Sequence, residues 1–307
     1  MSTSAATDAR PDPRVSIVVL SRNRRDMLLR TLPHHLSLPE RPRVVVVDDA
    51  STDGTAEAVR SRVAGVEVIA LERHMGAAAR NVAMRSLDVP YVALCDDDSW
   101  WTPGALRRAA DLLDEHPRLA VVNGHVLVGA DERVDPQSEE MAESPLPRAG
   151  GQPGHPLLSF VACAVVLRRS AVLEAGGFSE RLGVGGEEEL LGWDLAADGW
   201  LMSYVPDIVA HHDPPPHNGR PYRRETGIRN TLWVTWLRRP ARAAAVRTAR
   251  VLRRCPPDRH TARAVARALG GLPWVLRERR PSPPHVEEMR RLLEHQQLHS
   301  RARRYVG

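Results

Sequence analysis

Short apolar runs alternate with helix-forming segments over the first hundred residues of the chain. Runs of this length are typical of strands, and consecutive β-branched residues indicate strands buried on both faces. The predicted strands are residues 15–20, 44–47, 66–71 and 91–95. Caps and apolar spacing predict helices at residues 26–36, 55–63 and 76–87. This alternation predicts right-handed βαβ units and an α/β domain with a mostly parallel sheet and helices on both faces.

Further elements follow, with one long interruption. Thr102-Pro103 opens a predicted helix to residue 116, with the proline at the first helical position. Residues 129–156 are rich in Pro, Gly and acids and predict a mobile surface segment. A strand or hairpin is predicted at 119–128, a strand followed by a short helix at 160–167, and two short strands at 202–205 and 208–210.

A proline-rich run at 214–219 separates the alternating strands and helices from a segment that is predicted to be helical. Beyond it, helices separated by proline are predicted at 223–239, 241–254, 259–279 and 285–303. The chain therefore divides into a polar leader, residues 1–13, that is expected to be disordered, an α/β domain, residues 14–213, and a helical extension, residues 214–307.

Charge is divided unevenly between the two large parts. The extension carries 22 Arg and 6 acidic residues, whereas residues 1–213 carry 21 Arg and 32 acidic residues. A basic face that contains Trp could rest on a membrane surface, or the helices could pack on the α/β domain and leave Arg in water, which is the favoured interpretation. Aromatic residues suited to base stacking are sparse, so nucleic acid is not an expected partner.

The cysteine spacing and the hydropathy of the chain indicate its cellular compartment. The three cysteines form no C-x-x-C pair, the first residues lack the apolar core of a signal peptide, and no run of about 18 apolar residues occurs. We therefore expect a cytoplasmic protein with buried free thiols, with a peripheral membrane contact left open.

Polar clusters follow three of the predicted parallel strands. They are residues 21–24, Asp48 with Asp49, and residues 96–98. Ligands of such sheets bind beyond the carboxyl ends of the strands. The three adjacent aspartates could hold Mg²⁺ or Mn²⁺, or could form a solvated acidic turn before the next helix. No G-x-G-x-x-G follows the first strand and no P-loop motif occurs, so dinucleotide and P-loop sites are not expected.

Four motifs resemble those of the family 2 glycosyltransferases, which have the GT-A fold. They are Ser21-Arg22-Asn23-Arg24 after the first strand, V-D-D-x-S-x-D-x-T at 47–55, Gly76 to Asn81 in a helix, and the D-x-D strand end at 96–98. The resemblance covers roughly residues 14–213. It implies a nucleotide-diphospho-sugar as donor, Mn²⁺ or Mg²⁺ as cofactor, and an acceptor hydroxyl.

Carried over position by position, the resemblance implies roles for nine residues. Asp49 would hydrogen-bond the nucleobase, Asp97 would approach the ribose and Arg80 would lie near the phosphates. Ser21, Arg22 and Asn23 would flank the base. The metal ligands would be Asp96, Asp98 and His212. Structural alternatives exist, since Asp48 could only cap its turn and Arg80 could only pair with a helix neighbour.

A second acidic cluster opens a helix after Gly185-Gly186. The family has G-E-D-x-D-L-x-x-R-L-x-x-x-G-W at the matching place, so Glu187 takes the Glu and Glu188 the Asp that serves as general base. Leu190 and Asp194 depart from the family pattern, which has Asp and Arg there. Acids are also favoured at any helix N-terminus, which is the plain alternative.

These motifs predict an inverting, metal-dependent glycosyltransferase. Inversion is implied by the resemblance. Two other functions stay open. The departures at Leu190 and Asp194 are consistent with a sugar-nucleotide-binding protein without turnover. A nucleotidyltransferase would share such a sheet, although its glycine-rich entry loop is missing after the first strand.

Overall fold

The computed structural model of the protein describes residues 11–215 and 221–297. The strands are β1 Val15–Ser21, β2 Arg43–Asp48, β3 Val66–Ala70, β4 Tyr91–Asp96, β5 Ser99–Trp101, β6 Leu119–Val128, β7 Arg133–Val134, β8 His155–Pro156, β9 Val165–Arg168 and β10 Leu201–His212. The helices are α1 Arg25–Leu36, α2 Thr55–Arg62, α3 Ala79–Ser86, α4 Ala105–Glu115, α5 Pro136–Ala142, α6 Arg169–Glu174, α7 Glu187–Ala197, α8 Pro221–Arg238, α9 Ala241–Arg254, α10 Arg259–Gly270, α11 Leu272–Glu278 and α12 Pro284–Gln297.

All ten strands belong to one mixed sheet. Its order is β3-β2-β1-β4-β9-β6-β10-β5, with β7 paired to β6 and β8 to β10. The first four strands in that order are parallel, β9 runs antiparallel between β4 and β6, and β6 and β10 are parallel to each other. The predicted α/β class is therefore confirmed, with the parallel part formed by the βαβ units of the first hundred residues.

The sheet separates two hydrophobic cores. Val18 and Val45 point into one core, and their neighbours Ile17 and Val44 point into the other, because successive strand residues face opposite sides. Each of these four valine or isoleucine side chains is almost fully buried. This two-sided burial explains the continuous β-branched runs in the sequence.

The helical extension completes the first of these cores. Leu232 and Trp233 of α8 are buried there together with Trp274 of α11, whose ring meets Trp233 edge to face at 5.2 Å. The favoured interpretation of the extension, packing on the α/β domain, is confirmed. No helix in residues 11–215 and 221–297 has both the length and the apolar character needed to cross a membrane.

Some predicted element boundaries were wrong for identifiable reasons. Helix α4 begins at Ala105, because Gly104 has φ +87° and interrupts the helical backbone after Pro103. The segment 129–156 lies largely at the surface, as predicted, but it contains α5, capped by the Asp135 carboxylate, and its Met141 side chain is buried in the core. Its mobility stays a prediction.

Two further predictions need correction. The strands predicted at 202–205 and 208–210 form the single strand β10, with a register shift opposite β6 between Tyr204 and Val209. The helix predicted at 259–279 is divided into α10 and α11 at Gly271, where a Cβ would lie 2.6 Å from the Trp233 indole nitrogen.

At the N-terminal end, the described chain begins within the predicted leader. Asp12 is buried, its N–H donates to the Glu40 carbonyl at 2.8 Å, and its carboxylate pairs with Arg14. The folded part therefore starts before residue 14. Residues 1–10, and positions 298–303 of the last predicted helix, lie outside the described residues.

Candidate active site

The ends of β1, β2 and β4 lie side by side at one edge of the sheet. In the parallel register Ser21 is opposite Asp48, and Leu20 is opposite Asp96. The three polar clusters that follow these strands in the sequence are therefore neighbours, as the topology predicted.

Asp97 and Asp98 are bound to groups from the β1 end. Ser21 donates its hydroxyl hydrogen to Asp97 Oδ2 at 2.9 Å, and Arg24 contacts both carboxylates, at 3.2 Å to Asp97 and 2.7 Å to Asp98. Burial raises the pKa of Asp97 to about 7, even though the Arg24 charge lowers it. Arg24 was not among the predicted site residues, although it ends the Ser21-Arg22-Asn23-Arg24 motif.

Asp96 is bound differently from its two neighbours. Its carboxylate accepts a hydrogen bond from Arg80 Nη2 at 2.6 Å, and 40% of its side chain is exposed. Arg80 is buried, and its guanidinium lies 5.7 Å from the centre of the Phe178 ring. The alternative that Arg80 only pairs with a helix neighbour is wrong, because its partner is on β4. Its predicted place near the phosphates stays a prediction.

His212 reaches the same edge from β10. Antiparallel pairing sets His212 opposite Ser99, and its Nε2 lies 3.2 Å from Asp98 Oδ1. Burial lowers the pKa of His212, but the hydrogen bond and charge of Asp98 outweigh that effect and raise it above its usual value.

The predicted metal ligands are partly assembled. Carboxylate oxygens and an imidazole nitrogen are suitable donors for Mn²⁺, and Asp98 and His212 already adjoin. Asp96, however, is bound to Arg80. Within the described residues, no three His, Cys, Asp or Glu side chains form a ready cluster of metal ligands. The donor set fits a divalent cation, provided that Asp98 exchanges its contacts with Arg24 and His212.

The loop after β1 is tied to the loop after β2. Asn23, with φ +54°, donates its N–H to Ser51 Oγ at 2.9 Å and accepts from the Thr52 N–H at 2.7 Å. Arg22 is exposed beside it. Asp48 accepts a hydrogen bond from the Ser51 N–H, so the turn-capping role considered for it is confirmed.

Asp49 holds the segment that leads towards Arg80. One carboxylate oxygen accepts from the Met75 N–H at 2.6 Å, and the other accepts from the Gly76 N–H at 2.9 Å and lies 2.6 Å from His74 Nδ1. Only 2% of Asp49 is exposed. Its predicted hydrogen bond to a nucleobase stays a prediction, since both oxygens already have partners here. Sequence reasoning missed His74, a lone histidine without motif context.

Glu187 and Glu188 form the first turn of α7, after Gly186 with φ +87°. Burial raises the pKa of both carboxyl groups, and the charge of Glu188 adds to the effect on Glu187. Arg80 lowers the pKa of both glutamates, and Asp96 raises that of Glu188. Glu187 and Glu188 therefore lie within electrostatic range of Arg80, and Glu188 also lies within range of Asp96.

Residues 16–176 match the family described as Glycosyl transferase family 2, which is about half of the chain. The chain belongs to this family.

Relatives of known name agree with this membership. The chain is 34% identical over 110 residues to the succinoglycan biosynthesis protein ExoU of Rhizobium meliloti, a match that covers 34% of this chain and 30% of that protein. It is 28% identical over 211 residues to N-acetylglucosaminyl-diphospho-decaprenol L-rhamnosyltransferase of Mycobacterium tuberculosis. That match covers 56% of this chain and 67% of that protein. The match thus spans less than a third of the length of ExoU.

The fold also occurs in solved structures. The mannosyltransferase PcManGT of Pyrobaculum calidifontis, in complex with GDP-Man and Mn²⁺, superposes with a TM-score of 0.56 over 96% of this chain and 89% of that one, at 20% identity. The predicted GT-A fold is therefore confirmed.

The two departures from the family 2 pattern on α7 have structural partners. Leu190 is buried in the first core, which also contains Leu232 and Trp233 of α8. Asp194 forms a two-point ion pair with Arg238, with distances of 2.5 and 2.9 Å. Leu190 and Asp194 are four positions apart and share one face of α7. Both departures therefore adapt this face to the helical extension.

Proposed function

We propose that this protein is an inverting, metal-dependent glycosyltransferase that moves a sugar from a nucleotide-diphospho-sugar to an acceptor hydroxyl. The observation that carries the proposal is that Arg80 bonds Asp96 and lies within electrostatic range of Glu188, in a chain that belongs to a glycosyltransferase family. A carboxylate with a raised pKa beside a guanidinium and an acidic triplet suits proton removal next to a diphosphate.

Each residue at this edge has a chemical task in the proposal. Glu188 accepts the proton of the acceptor hydroxyl as it attacks the anomeric carbon, and Glu187 shares the buried negative charge with it. Arg80 would offset the charge of the departing nucleoside diphosphate. Asp96, Asp98 and His212 would hold Mn²⁺ or Mg²⁺, which would neutralise further charge on that leaving group.

The donor-binding part is proposed on the same edge. The loop that contains Ser21, Arg22 and Asn23 flanks the base, Asp97 faces the ribose and Asp49 contacts the base ring. The Asn23 bonds to Ser51 and Thr52 support this, because they hold the two loops in a fixed relation before a donor arrives.

The test is product formation with defined variants. Purified protein is incubated with Mn²⁺, each of several nucleotide sugars and an acceptor panel, and products are identified by mass spectrometry. The panel includes a sugar-diphospho-polyprenol, because the mycobacterial relative is named for such a substrate. The anomeric configuration of the product, measured by NMR, is expected to be opposite to that of the donor.

Two variants separate the proposed roles. Glu188→Gln is expected to lower kcat about 10²- to 10⁴-fold while donor binding is kept. Asp98→Ala is expected to abolish Mn²⁺-dependent donor binding, seen as loss of the thermal shift that the bound donor produces. Full turnover in both variants would refute these assignments. Mn²⁺-dependent donor binding without product on any acceptor would favour the binding protein instead.

A further inference from the structure

A segment of backbone before α7 is held by the side chain of Asn230, in the helical extension. The Asn230 amide group donates to the Gly185 carbonyl at 2.6 Å and to the Leu182 carbonyl at 2.9 Å, and it lies 3.3 Å from the Val184 carbonyl. Only 1% of Asn230 is exposed. Arg229 Nη2 also donates to the Leu182 carbonyl at 3.1 Å. Asn230 and its neighbour therefore together hold the backbone that leads into Glu187 and Glu188, with Asn230 making the contacts at Val184 and Gly185.

This segment also touches the turn that precedes α3, the helix that carries Arg80. The Gly183 carbonyl accepts from the Ala77 N–H at 2.9 Å, and a Cβ on Gly76 would lie 2.8 Å from the Gly183 backbone. Residues 182–186 therefore lie between Asn230 of α8 and the turn that precedes Arg80.

Two further contacts hold α7 itself. Arg238 of α8 pairs with Asp194, and both side chains are largely buried. Arg290 of α12 lies 3.1 Å from Glu189 and 4.3 Å from the centre of the Trp193 ring. Removing one member of a buried charge pair leaves the other uncompensated, so a shift of α7 that separated Asp194 from Arg238 would be costly.

Position matters here because proton transfer needs the base within hydrogen-bond reach of the acceptor. A displacement of about 1 Å can cost about 100-fold in rate. Carbonyl groups released from Asn230 would turn towards other donors, and the first turn of α7 would move with them.

We propose that Asn230 is a positioning residue for Glu187 and Glu188, so that the helical extension is a working part of the catalytic unit. This rests on the proposed role of Glu188 as general base. Asn230 itself touches neither donor nor acceptor in this proposal. It acts through the carbonyl groups of Leu182, Val184 and Gly185.

The decisive variant is Asn230→Asp, which keeps the shape but replaces the amide donor by an oxygen that faces carbonyl oxygens. We expect kcat to fall about 100-fold, while the Kd for the nucleoside diphosphate with Mn²⁺ stays within about threefold. Amide hydrogen exchange of residues 182–188 is expected to become faster. The kcat of Asn230→Ser, which has a hydroxyl donor, is expected to lie between those of the parent and of Asn230→Asp. Asn230→Ser is the test variant if Asn230→Asp does not fold.

The matched control is Trp236→Phe. It removes a hydrogen bond within the extension, from the Trp236 indole to Thr248 Oγ1. Asn230 has no positioning role if kcat of Asn230→Asp falls no further than kcat of the control, or if amide exchange at residues 182–188 is unchanged. The same criterion applies to Asn230→Ser if Asn230→Asp does not fold. Glu188→Gln is measured in parallel. Full turnover there removes the general-base role, whereas the exchange data still decide whether Asn230 fixes the segment.

Discussion

At the scale of single residues, the acidic edge is balanced by cations of the chain itself. Arg24 contacts Asp97 and Asp98, Arg80 contacts Asp96, and His212 contacts Asp98. Three adjacent carboxylates repel one another, so these contacts keep the cluster stable in the absence of another cation. They also mean that a metal ion would compete with groups of the protein.

This competition makes a prediction about Arg24. Its guanidinium is one-third exposed, so solvent weakens its interaction with the carboxylates to well below the value for a buried pair. Arg24→Gln is expected to increase Mn²⁺ affinity by about tenfold, or about 1.4 kcal/mol, as measured by isothermal titration calorimetry without nucleotide. Arg25→Gln, which removes a surface pair with Asp26, is the control and should leave the affinity unchanged. Weaker Mn²⁺ binding by Arg24→Gln would show that Arg24 does not compete.

The raised pKa of Glu188 makes a second prediction. The proposed base works only when ionised, and burial raises its pKa above the ordinary range of glutamate. Turnover should therefore decline, as pH falls, at a higher pH than an unperturbed glutamate would give. The measurement is kcat against pH at saturating donor and acceptor. The control is Glu180→Gln, which removes an exposed ion pair with Arg73. A decline confined to the ordinary range near pH 4 would contradict the assignment.

At the scale of elements, two glycine-containing turns pack backbone against backbone. Gly76 opens the turn before α3 with φ +62°, and it contacts Gly183, which precedes α7. Asp49 holds the first turn through the Gly76 N–H, and Asn230 holds the second. The arginine and the glutamates of the site are therefore set relative to each other by main-chain contacts.

Gly76→Ala tests this close approach. A Cβ there would overlap the Gly183 backbone in addition to the cost of a positive φ, so we expect a loss of about 2–4 kcal/mol in the free energy of unfolding. Gly129 also has a positive φ, +70°, but a Cβ there would meet open space, so Gly129→Ala is expected to lower the free energy of unfolding by only about 1 kcal/mol. Both values come from urea unfolding. Equal losses in the two variants would mean that the contact is not tight.

At the scale of the whole molecule, the extension and the α/β domain share a core. Ile228, Leu232 and Trp233 of α8 are buried in the same cluster as Leu191 and Trp193 of α7. The amino-acid composition changes near residue 214, but the hydrophobic core continues across that position. The basic residues of the extension include several that pair with acids inside it, such as Arg239 with Glu287.

A shared core predicts a single unfolding transition for the full chain. Trp233→Ala should cost about 3–5 kcal/mol and move the transitions of the sheet and of the extension together. Hydrogen exchange in increasing urea reports β4 and α10 separately. Leu276→Ala is the control, because that side chain is largely exposed and its loss should cost less than about 0.5 kcal/mol. Loss of the extension before the sheet would show two independent units.

The site was predictable to the extent that its residues follow strands or belong to motifs. Asp96, Asp98 and Glu188 stand in such contexts, so topology and family resemblance found them. Arg24, His74 and Asn230 were missed as site residues. The last two stand outside any motif, and the partners of all three come from distant parts of the chain.

The sequence by itself determined the α/β class and the edge where the polar clusters meet, because hydrophobic periodicity and polar residues at strand ends are local patterns. Its four motifs, through their resemblance, indicated the family. Only the tertiary structure decided which cation meets which aspartate, and that Asn230 and Arg238 hold α7. Those pairs join residues from different elements, such as Arg24 and Asp98, which are 74 positions apart. Side-chain contacts of that kind depend on how helices pack on the sheet, which no local pattern specifies.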